Sequence, residues 1–323
     1  MNNIRKTFHL REVVIAAIVG LAMLITGAVL DFSITSKVYD INNTNMFGVV
    51  MSGFSQFPVI VSCYVAGLGF ILARRKRPVW AQVLMIVGAV ITFGVAAYLC
   101  FDTAKDWYSF RNTADHKTIL LIAAILYTLA LPAITIVPTY FLMRKADKET
   151  ILKVSILLLG TVLLAVIFSN ILKYFVGRER PRSAFAKENP EQYFDAVWNI
   201  HPLRPLIGKI QDIWDKLFNG GEGGYKTNNF KSFPSGHTVY AAMGMMLYPL
   251  LTLFNDKTKN MRPLQISLFY VGLAWTVLTA ISRVYAGAHY LSDTAFGLLT
   301  TVVCGVVAMV ICSNTLKERK LLD

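Results

Sequence analysis

The chain has 323 residues, of which 55% are hydrophobic and only 16% are charged. Because about a quarter of the residues in a soluble domain are normally charged, this composition argues against a soluble globular protein. The formal net charge of +13 would suit nucleic acid, but the basic residues lie between long apolar blocks and form no single patch. We therefore expect a lipid bilayer, and no nucleic acid, around this chain.

The apolar residues fall into eight blocks, each long enough to cross a bilayer core of roughly 30 Å with about 20 residues. The first block has no small-residue cleavage site that we can identify, so we expect a retained helix and not a removed signal peptide. The predicted fold is an all-α polytopic membrane helix bundle with about eight transmembrane helices. The blocks lie near residues 13–30, 54–73, 79–101, 118–142, 151–173, 235–254, 264–281 and 291–312.

The basic residues are unevenly divided between the loops. If the N-terminus is cytoplasmic, the inside segments near 74–77, 144–153 and 257–262 are much richer in Lys and Arg than the short outside loops. Cytoplasmic loops carry such an excess, whereas long segments count little in this rule. We therefore predict that both termini are cytoplasmic and that the 174–234 and 282–290 loops are extracytoplasmic.

The chain divides into two regions within one membrane-embedded unit. Residues 1–150 hold four blocks and no chemical motif, whereas residues 151–315 hold three polar motifs and the long 174–234 loop. After Pro205, apolar residues in this loop recur at i, i+3 and i+4, which predicts an amphipathic helix. Such a helix would lie in the membrane interface or cover the bundle; an ordinary loop helix is the alternative. The run NGGEGG at 219–224 follows it and predicts a flexible hinge, since no Walker lysine closes the run.

The first polar motif is KYFVGRERP, which contains Lys173 and Arg180. If this stretch is helical, the two cations share one face about two turns apart. They would then bind a phosphate-sized anion, because Arg offers a planar fork and Lys a point charge. On its own, the pattern is more typical of snorkelling cations at a membrane helix end.

The second polar motif is PSGH, at the start of the 235–254 block. Ser235 is placed to N-cap the helix that begins there, and Gly236 allows close approach of the backbone to a ligand. A helix N-terminus favours an anion, and His237 would face it from the first turn. A plain helix cap with an incidental histidine is the alternative.

The third polar motif is SRVYAGAHYLSD, in which Arg283 ends one apolar block and His289 and Asp293 open the next. On a helix, His289 and Asp293 would share one face, so that the carboxylate could orient the imidazole and stabilise its charged form. Ionisable residues at an apolar boundary are costly without a use. A purely structural pair is the alternative.

Metal and disulfide chemistry find little support in the sequence. The polar motifs contain no compact cluster of metal ligands. The four cysteines lie in apolar blocks without a C-x-x-C pair, which predicts neither a zinc site nor a disulfide framework. They are Cys63, Cys100, Cys304 and Cys312.

Together the three motifs closely resemble those of the type-2 phosphatidic acid phosphatase superfamily, which includes vanadium haloperoxidases and glucose-6-phosphatase. Its pattern is K-x6-RP, then PSGH, then SR-x5-H-x3-D, and every motif position is filled here. The resemblance extends from about Leu152 to Ile311. The four blocks before it are more numerous than the two leading helices usual in six-helix bacterial members.

The resemblance implies a role for each motif residue. His289 would attack phosphorus and form a phosphohistidine, and Asp293 would hold its imidazole. His237 would protonate the departing oxygen and then activate water. The resemblance also implies that fixed cations replace a metal, so we expect no metal and no other cofactor. The implied phosphate-binding residues are Lys173, Arg180, Ser235, Gly236 and Arg283.

The position of the motifs at block ends indicates the class of substrate. A lipid head group would reach them while its tails stay in the bilayer, so we expect a membrane lipid phosphate or diphosphate. Polyprenyl diphosphate, phosphatidic acid and phosphatidylglycerol phosphate are the candidates. A phosphotransferase on the same scaffold is the alternative, while a vanadate-dependent peroxidase is disfavoured because those members are soluble. A transporter or lipid-binding protein is remote, since transporters place polar groups near the midplane and often contain repeats. The sequence does not indicate an oligomeric state.

Overall fold

The computed structural model describes residues 10–42, 45–109, 117–218, 227–254 and 260–318. Within these ranges all regular secondary structure is helical, and seven helices are long and apolar enough to cross a membrane. The prediction of an all-α polytopic helix bundle is therefore confirmed. The α-helices are α1 (Leu10–Val38), α2 (Met46–Phe54), α3 (Phe57–Ala73), α4 (Val79–Ser109), α5 (Lys117–Met143), α6 (Lys148–Val176), α7 (Pro181–Ala184), α8 (Arg204–Phe218), α9 (Gly236–Ala242), α10 (Arg262–Tyr285) and α11 (Leu291–Glu318).

The predicted block at 235–254 forms no single long α-helix. It consists of α9 followed by a 3-10 helix over Met243–Leu253, which contains Pro249. With rises of about 1.5 and 2.0 Å per residue, the two parts together span ~30 Å, enough to cross a bilayer. Most of their side chains are buried against α3, α6 and α10, so this irregular backbone is shielded from lipid, as such backbone must be. Among the described residues, seven helices are thus long and apolar enough to cross a membrane, one fewer than the eight predicted blocks, and the 235–254 block is this composite segment.

Six helix ends meet at one end of the bundle, which we call the site end. They are the last turns of α1, α6 and α10 and the first turns of α2, α9 and α11. Asp31 of α1 bonds to Ser292 of α11, and Gly48 of α2 bonds to Arg283 of α10. At the opposite end, which we call the basic end, Arg77 pairs with Glu149 near the start of α6.

Close approach at a glycine docks α1 against α11. A Cβ at Gly27 would lie 2.4 Å from the backbone nitrogen of Ser292, far inside any real contact. Only glycine therefore lets α1 come this close to the start of α11. The approach places Asp31, one turn further along α1, beside the same nitrogen, which donates a hydrogen bond to its carboxylate at 3.0 Å.

The amphipathic helix predicted in the long loop is present as α8, with Pro205 as its second residue. Its apolar face is largely exposed within the part of the chain that the structure describes: Ile210 is 58% exposed and Trp214 is 59% exposed. An uncovered apolar face beside a membrane bundle is typical of an interfacial helix. The glycine-rich run at 219–224, predicted to be a hinge, lies outside the described residues.

Candidate active site

Two histidines face each other at the site end. His237 lies in the first turn of α9, after Ser235, whose Oγ accepts a hydrogen bond from the Thr238 backbone nitrogen at 3.3 Å. The predicted N-cap is therefore confirmed. His289 follows Gly287, whose φ of +59° lies in the left-handed region. The two ring centroids are 6.2 Å apart.

His289 does not lie on a helix, because α11 begins only at Leu291. The prediction that His289 and Asp293 share a helix face is therefore wrong, although the turn still brings them near each other. The distance from His289 Nδ1 to Asp293 Oδ2 is 3.9 Å, too long for a hydrogen bond. The direct partner of Nδ1 is the backbone carbonyl of Ser232, at 2.6 Å.

This contact decides which nitrogen of His289 is free to react. A carbonyl oxygen can only accept, so Nδ1 carries the hydrogen and Nε2 keeps its lone pair. Burial, together with the positive charges of Arg180 and Lys173 and the neighbouring His237, holds the pKa of His289 well below its usual range. The imidazole is therefore neutral at neutral pH, the state in which Nε2 can act as a nucleophile.

Asp293 reaches His289 through Ser232. Its Oδ2 accepts a hydrogen bond from Ser232 Oγ at 2.5 Å and another from the Tyr290 backbone nitrogen at 2.9 Å. The carboxylate thus holds the residue whose carbonyl holds the imidazole. Ser232 is not among the predicted site residues, because a backbone carbonyl is common to every residue type and leaves no signal in the sequence.

The predicted cations Lys173 and Arg180 lie near the histidines, but the backbone that places them there differs from the predicted helix. Helix α6 ends at Gly177, a left-handed C-cap with φ +62°, so Lys173 and Arg180 do not share one helical face as predicted. The turn after α6 instead folds Arg180 back. Both cations are close enough to act electrostatically on His289.

Contacts at Gly236 and Arg180 are consistent with an anion site. A Cβ at Gly236 would lie 2.9 Å from Lys173 Nζ, so glycine lets this ammonium approach the start of α9. Among the described residues, the buried Nε of Arg180 has no hydrogen-bond partner. A buried donor without a partner is costly, and a phosphoryl oxygen would satisfy it.

Arg283, the third predicted cation, is 4% exposed. Its guanidinium donates to the carbonyl of Gly48 in α2 and, through Nε, to Ser282 Oγ at 3.2 Å. It is also close enough to act electrostatically on His237. A helix of the N-terminal region therefore orients a cation of the site.

A second arginine network supports Asp293 from behind. Arg178 is fully buried; it donates through Nη1 to Asp293 Oδ1 at 2.6 Å and through Nη2 to Asp31 Oδ2 at 3.0 Å. Its guanidinium carbon lies 4.2 Å from the centre of the Tyr290 ring. One cation thus bridges two buried carboxylates, as buried charges require.

Neither Arg178 nor Asp31 is among the predicted site residues. A usable signal existed for Asp31, since an acid within a membrane helix is costly and marks a partner or a site. No such signal singles out Arg178 from its neighbours Arg180 and Arg182. Spacing alone cannot show which arginine turns inward.

An ion cluster fastens the long loop to the end of α6. Glu179 is 1% exposed and lies 2.9 Å from Lys187 Nζ, while Asp195 lies 3.0 Å from both His201 Nε2 and Arg204 Nη1. Glu179, Asp195 and Arg204 border an open cavity of about 580 Å³. The start of α8 is thereby tied to the segment that carries Arg180.

Possible metal ligands are dispersed. Among the described residues, no group of three or more His, Cys, Asp or Glu side chains is placed to hold a metal ion. The four cysteines are buried free thiols. A metal-independent reaction stays a prediction.

Comparison with known proteins identifies the family of this arrangement. A family model described as the PAP2 superfamily matches residues 155–317. Phosphatidylglycerophosphatase B of Haemophilus influenzae is 31% identical over 144 residues, which cover 41% of this chain and 53% of that protein. The chain thus spans about half the length of that curated relative, and no solved structure matches it significantly. Since the matched segment is just over half of the chain and holds all three motifs, the chain belongs to the PAP2 superfamily.

Proposed function

We propose that this protein is an integral-membrane phosphatase that hydrolyses a lipid phosphate or diphosphate through a phosphohistidine on His289. The observation that carries the proposal is the hydrogen bond from His289 Nδ1 to the Ser232 carbonyl, 2.6 Å long. It leaves Nε2 with its lone pair, beside His237 and the cations Lys173 and Arg180. Membership of the family and the likeness to a phosphatidylglycerophosphatase support the same class of reaction.

In the first step, His289 Nε2 attacks phosphorus while the bond from phosphorus to the lipid oxygen breaks. The negative charge of the bound phosphoryl group offsets the cations that disfavour a protonated His237, and His237 then gives a proton to that departing oxygen. Lys173, Arg180 and Arg283 balance the charge on the phosphoryl oxygens, which is the main requirement of phosphoryl transfer. The Ser232 carbonyl, held by Asp293, stabilises the positive imidazole ring of the intermediate.

In the second step, His237 takes a proton from water. The water oxygen attacks phosphorus, the bond from nitrogen to phosphorus breaks, and phosphate leaves. The covalent intermediate divides one difficult displacement into two easier ones. His237 acts first as acid and then as base, so its position beside His289 serves both steps.

The location of the site favours a lipid substrate. The histidines lie where helices of the bundle end, so a head group can enter while its tails remain in the bilayer. The excess of basic residues at the basic end favours an extracytoplasmic site end and cytoplasmic termini. Three substrates should be tested: phosphatidylglycerol phosphate, phosphatidic acid and a polyprenyl diphosphate. The likeness to the Haemophilus influenzae enzyme is the reason for including the first.

Phosphate release from this panel by the purified protein in detergent tests the proposal. His289→Ala should lower release to background, while His9→Gln, which changes a histidine outside the three motifs, should stay near wild type. With an activated aryl phosphate, whose departure needs no proton, His237→Asn should accumulate an acid-labile phosphoenzyme. Adding His289→Ala should remove that label.

Three results would count against the proposal. Near wild-type release by His289→Ala would refute the assigned nucleophile. Transfer of the phosphoryl group to an added alcohol, without free phosphate, would favour a phosphotransferase. A strong loss of activity in EDTA would refute the expected metal independence.

A further inference from the structure

A second concave surface lies at the basic end, opposite the two histidines. It is a groove of about 450 Å³ between α3, α4, α6 and the end of α11. Its walls are almost entirely apolar. They include Phe70, Leu84, Met85, Leu152, Ile156 and Ile311.

The groove is open toward the bilayer. Leu84 is 62% exposed, Ile156 is 44% exposed and Ile311 is 53% exposed, so these side chains face the hydrocarbon region. Gly88 leaves space at the bottom of the groove because it has no side chain. A Cβ there would meet only the Phe70 ring, at 3.4 Å. A flexible alkyl chain can therefore lie in the groove without displacing protein.

The rim of the groove is cationic. Arg77 Nη2 lies 2.7 Å from Glu149 Oε2, and Lys153 Nζ lies 3.9 Å from Glu149 Oε1. One carboxylate between two cations leaves one positive charge, and Arg77 and Lys153 both line the groove. Trp80, on the same rim, is 66% exposed, as is typical of residues at the level of lipid head groups.

The surrounding loops add to this charge. Arg74, Arg75 and Lys76 precede the rim, whereas the neighbouring Asp147 is already engaged as the N-cap of α6. Loop charges alone are enough to orient a protein in the membrane. Orientation needs no cavity, however, and here a concave apolar wall lies directly beneath the cations.

We propose that this groove binds one phospholipid with an anionic head group, its acyl chain between α4 and α6 and its phosphate at Lys153 and Arg77. Basic pockets between transmembrane helices recognise such head groups. The bound lipid bridges α3 and α4 to α6 and α11, and so stabilises the bundle from the end that carries no catalytic group. The inference does not depend on the reaction at the site end.

Native mass spectrometry and thermal unfolding of the purified protein test this inference, with phosphatidylglycerol and phosphatidylcholine as probes. Neither probe carries a terminal phosphate that could be hydrolysed. Phosphatidylglycerol should be retained and should raise the unfolding temperature more than phosphatidylcholine does. Lys153→Gln should weaken that binding roughly fivefold, since one cation near a lipid surface contributes about that factor.

Two variants complete the test. Lys148→Gln removes the same charge from an exposed position on the same helix and should bind the lipid as wild type does. Gly88→Leu fills the groove and should abolish retention of the lipid, with the rate on a soluble phosphate ester unchanged. Equal effects of Lys148→Gln and Lys153→Gln, equal binding of both lipids, or full retention by Gly88→Leu would each overturn the inference.

Discussion

Residues 151–315 hold every motif of the site and residues 1–150 hold none, yet both regions contribute to the site end. Residues 151–315 supply the groups proposed to touch phosphate: the two histidines, Lys173, Arg180 and Arg283. Residues 1–150 supply partners that hold parts of the site, namely the carboxylate of Asp31 and the carbonyl of Gly48. A region without a motif can therefore be part of the site's structure without being part of its chemistry.

The reason for this division lies in the cost of buried charge. Asp293 is fully buried and accepts hydrogen bonds from Arg178, Ser232 and Tyr290. Arg178 in turn needs more than one acceptor, because a buried guanidinium carries five donors. Asp31 provides one of them, so the N-terminal region completes a network that the motifs leave open.

The largest expected effect comes from removing the cation that joins the two regions. Arg178→Met leaves Asp31 and Asp293 buried without their shared partner, and breaking a buried ion pair on one side costs about 3–5 kcal/mol. We expect a large loss of thermal stability in detergent together with loss of phosphate release. Arg182→Met, at an exposed position nearby, should keep wild-type stability. Wild-type stability of Arg178→Met would show that the regions are not joined through this network.

The next effect tests the contact between α1 and α11. Gly27→Ala places a methyl group 2.4 Å from the Ser292 nitrogen, and overpacking of this kind costs about 1–3 kcal/mol. Gly94→Ala is the matched control in the same region, since its Cβ would meet nothing within 4 Å. We expect a lower unfolding temperature for Gly27→Ala and an equal or higher one for Gly94→Ala. Similar shifts for both variants would mean that α1 is not seated closely on α11.

A smaller effect tests whether the N-terminal region also influences the reaction. Asp31→Asn keeps the shape of the side chain and an acceptor for the Ser292 nitrogen, but removes the charge facing Arg178. We expect kcat to fall roughly tenfold, with KM little changed. A tenfold change lies within the range of about 0.5–2 kcal/mol by which mutations away from a ligand alter the coupling between sites. Asp31→Glu restores the charge and should recover part of the rate. A change in KM alone, or no recovery with glutamate, would argue against a positioning role.

The smallest effect is a displacement of the pH profile. His289 must be neutral to attack, and its pKa is held well below its usual range by burial and nearby cations. The acid limb of kcat/KM should therefore lie below about pH 6.5, the ordinary histidine value. Removing the negative charge of Asp31 makes the imidazolium less favourable, so Asp31→Asn should move that limb further toward acid. A limb at or above pH 6.5 in the wild type, or a shift toward neutral pH in the variant, would contradict the assignment.

Local signals predicted much of the fold and of the site. Seven of the eight predicted apolar blocks are helices long enough to cross a membrane, and the spacing after Pro205 predicted α8, because hydrophobic periodicity depends on nearby residues. The N-cap at Ser235 was also predicted from the local sequence. Helical spacing failed at Arg180 and His289, since both lie just beyond a helix end, where a left-handed glycine redirects the chain at Gly177 and Gly287.

The sequence by itself determined the class of the protein, because membrane spans and the three motifs consist of particular residue types at fixed spacings. Only the tertiary structure decided what holds those residues in place. The partner of His289 Nδ1 is a backbone carbonyl, and the residue type at that position does not indicate such a contact. Asp31 meets Ser292 across 261 positions of the chain, because α1 and α11 pack side by side at a glycine. Contacts of that range arise from the packing of whole helices, and spacing along the chain does not encode them.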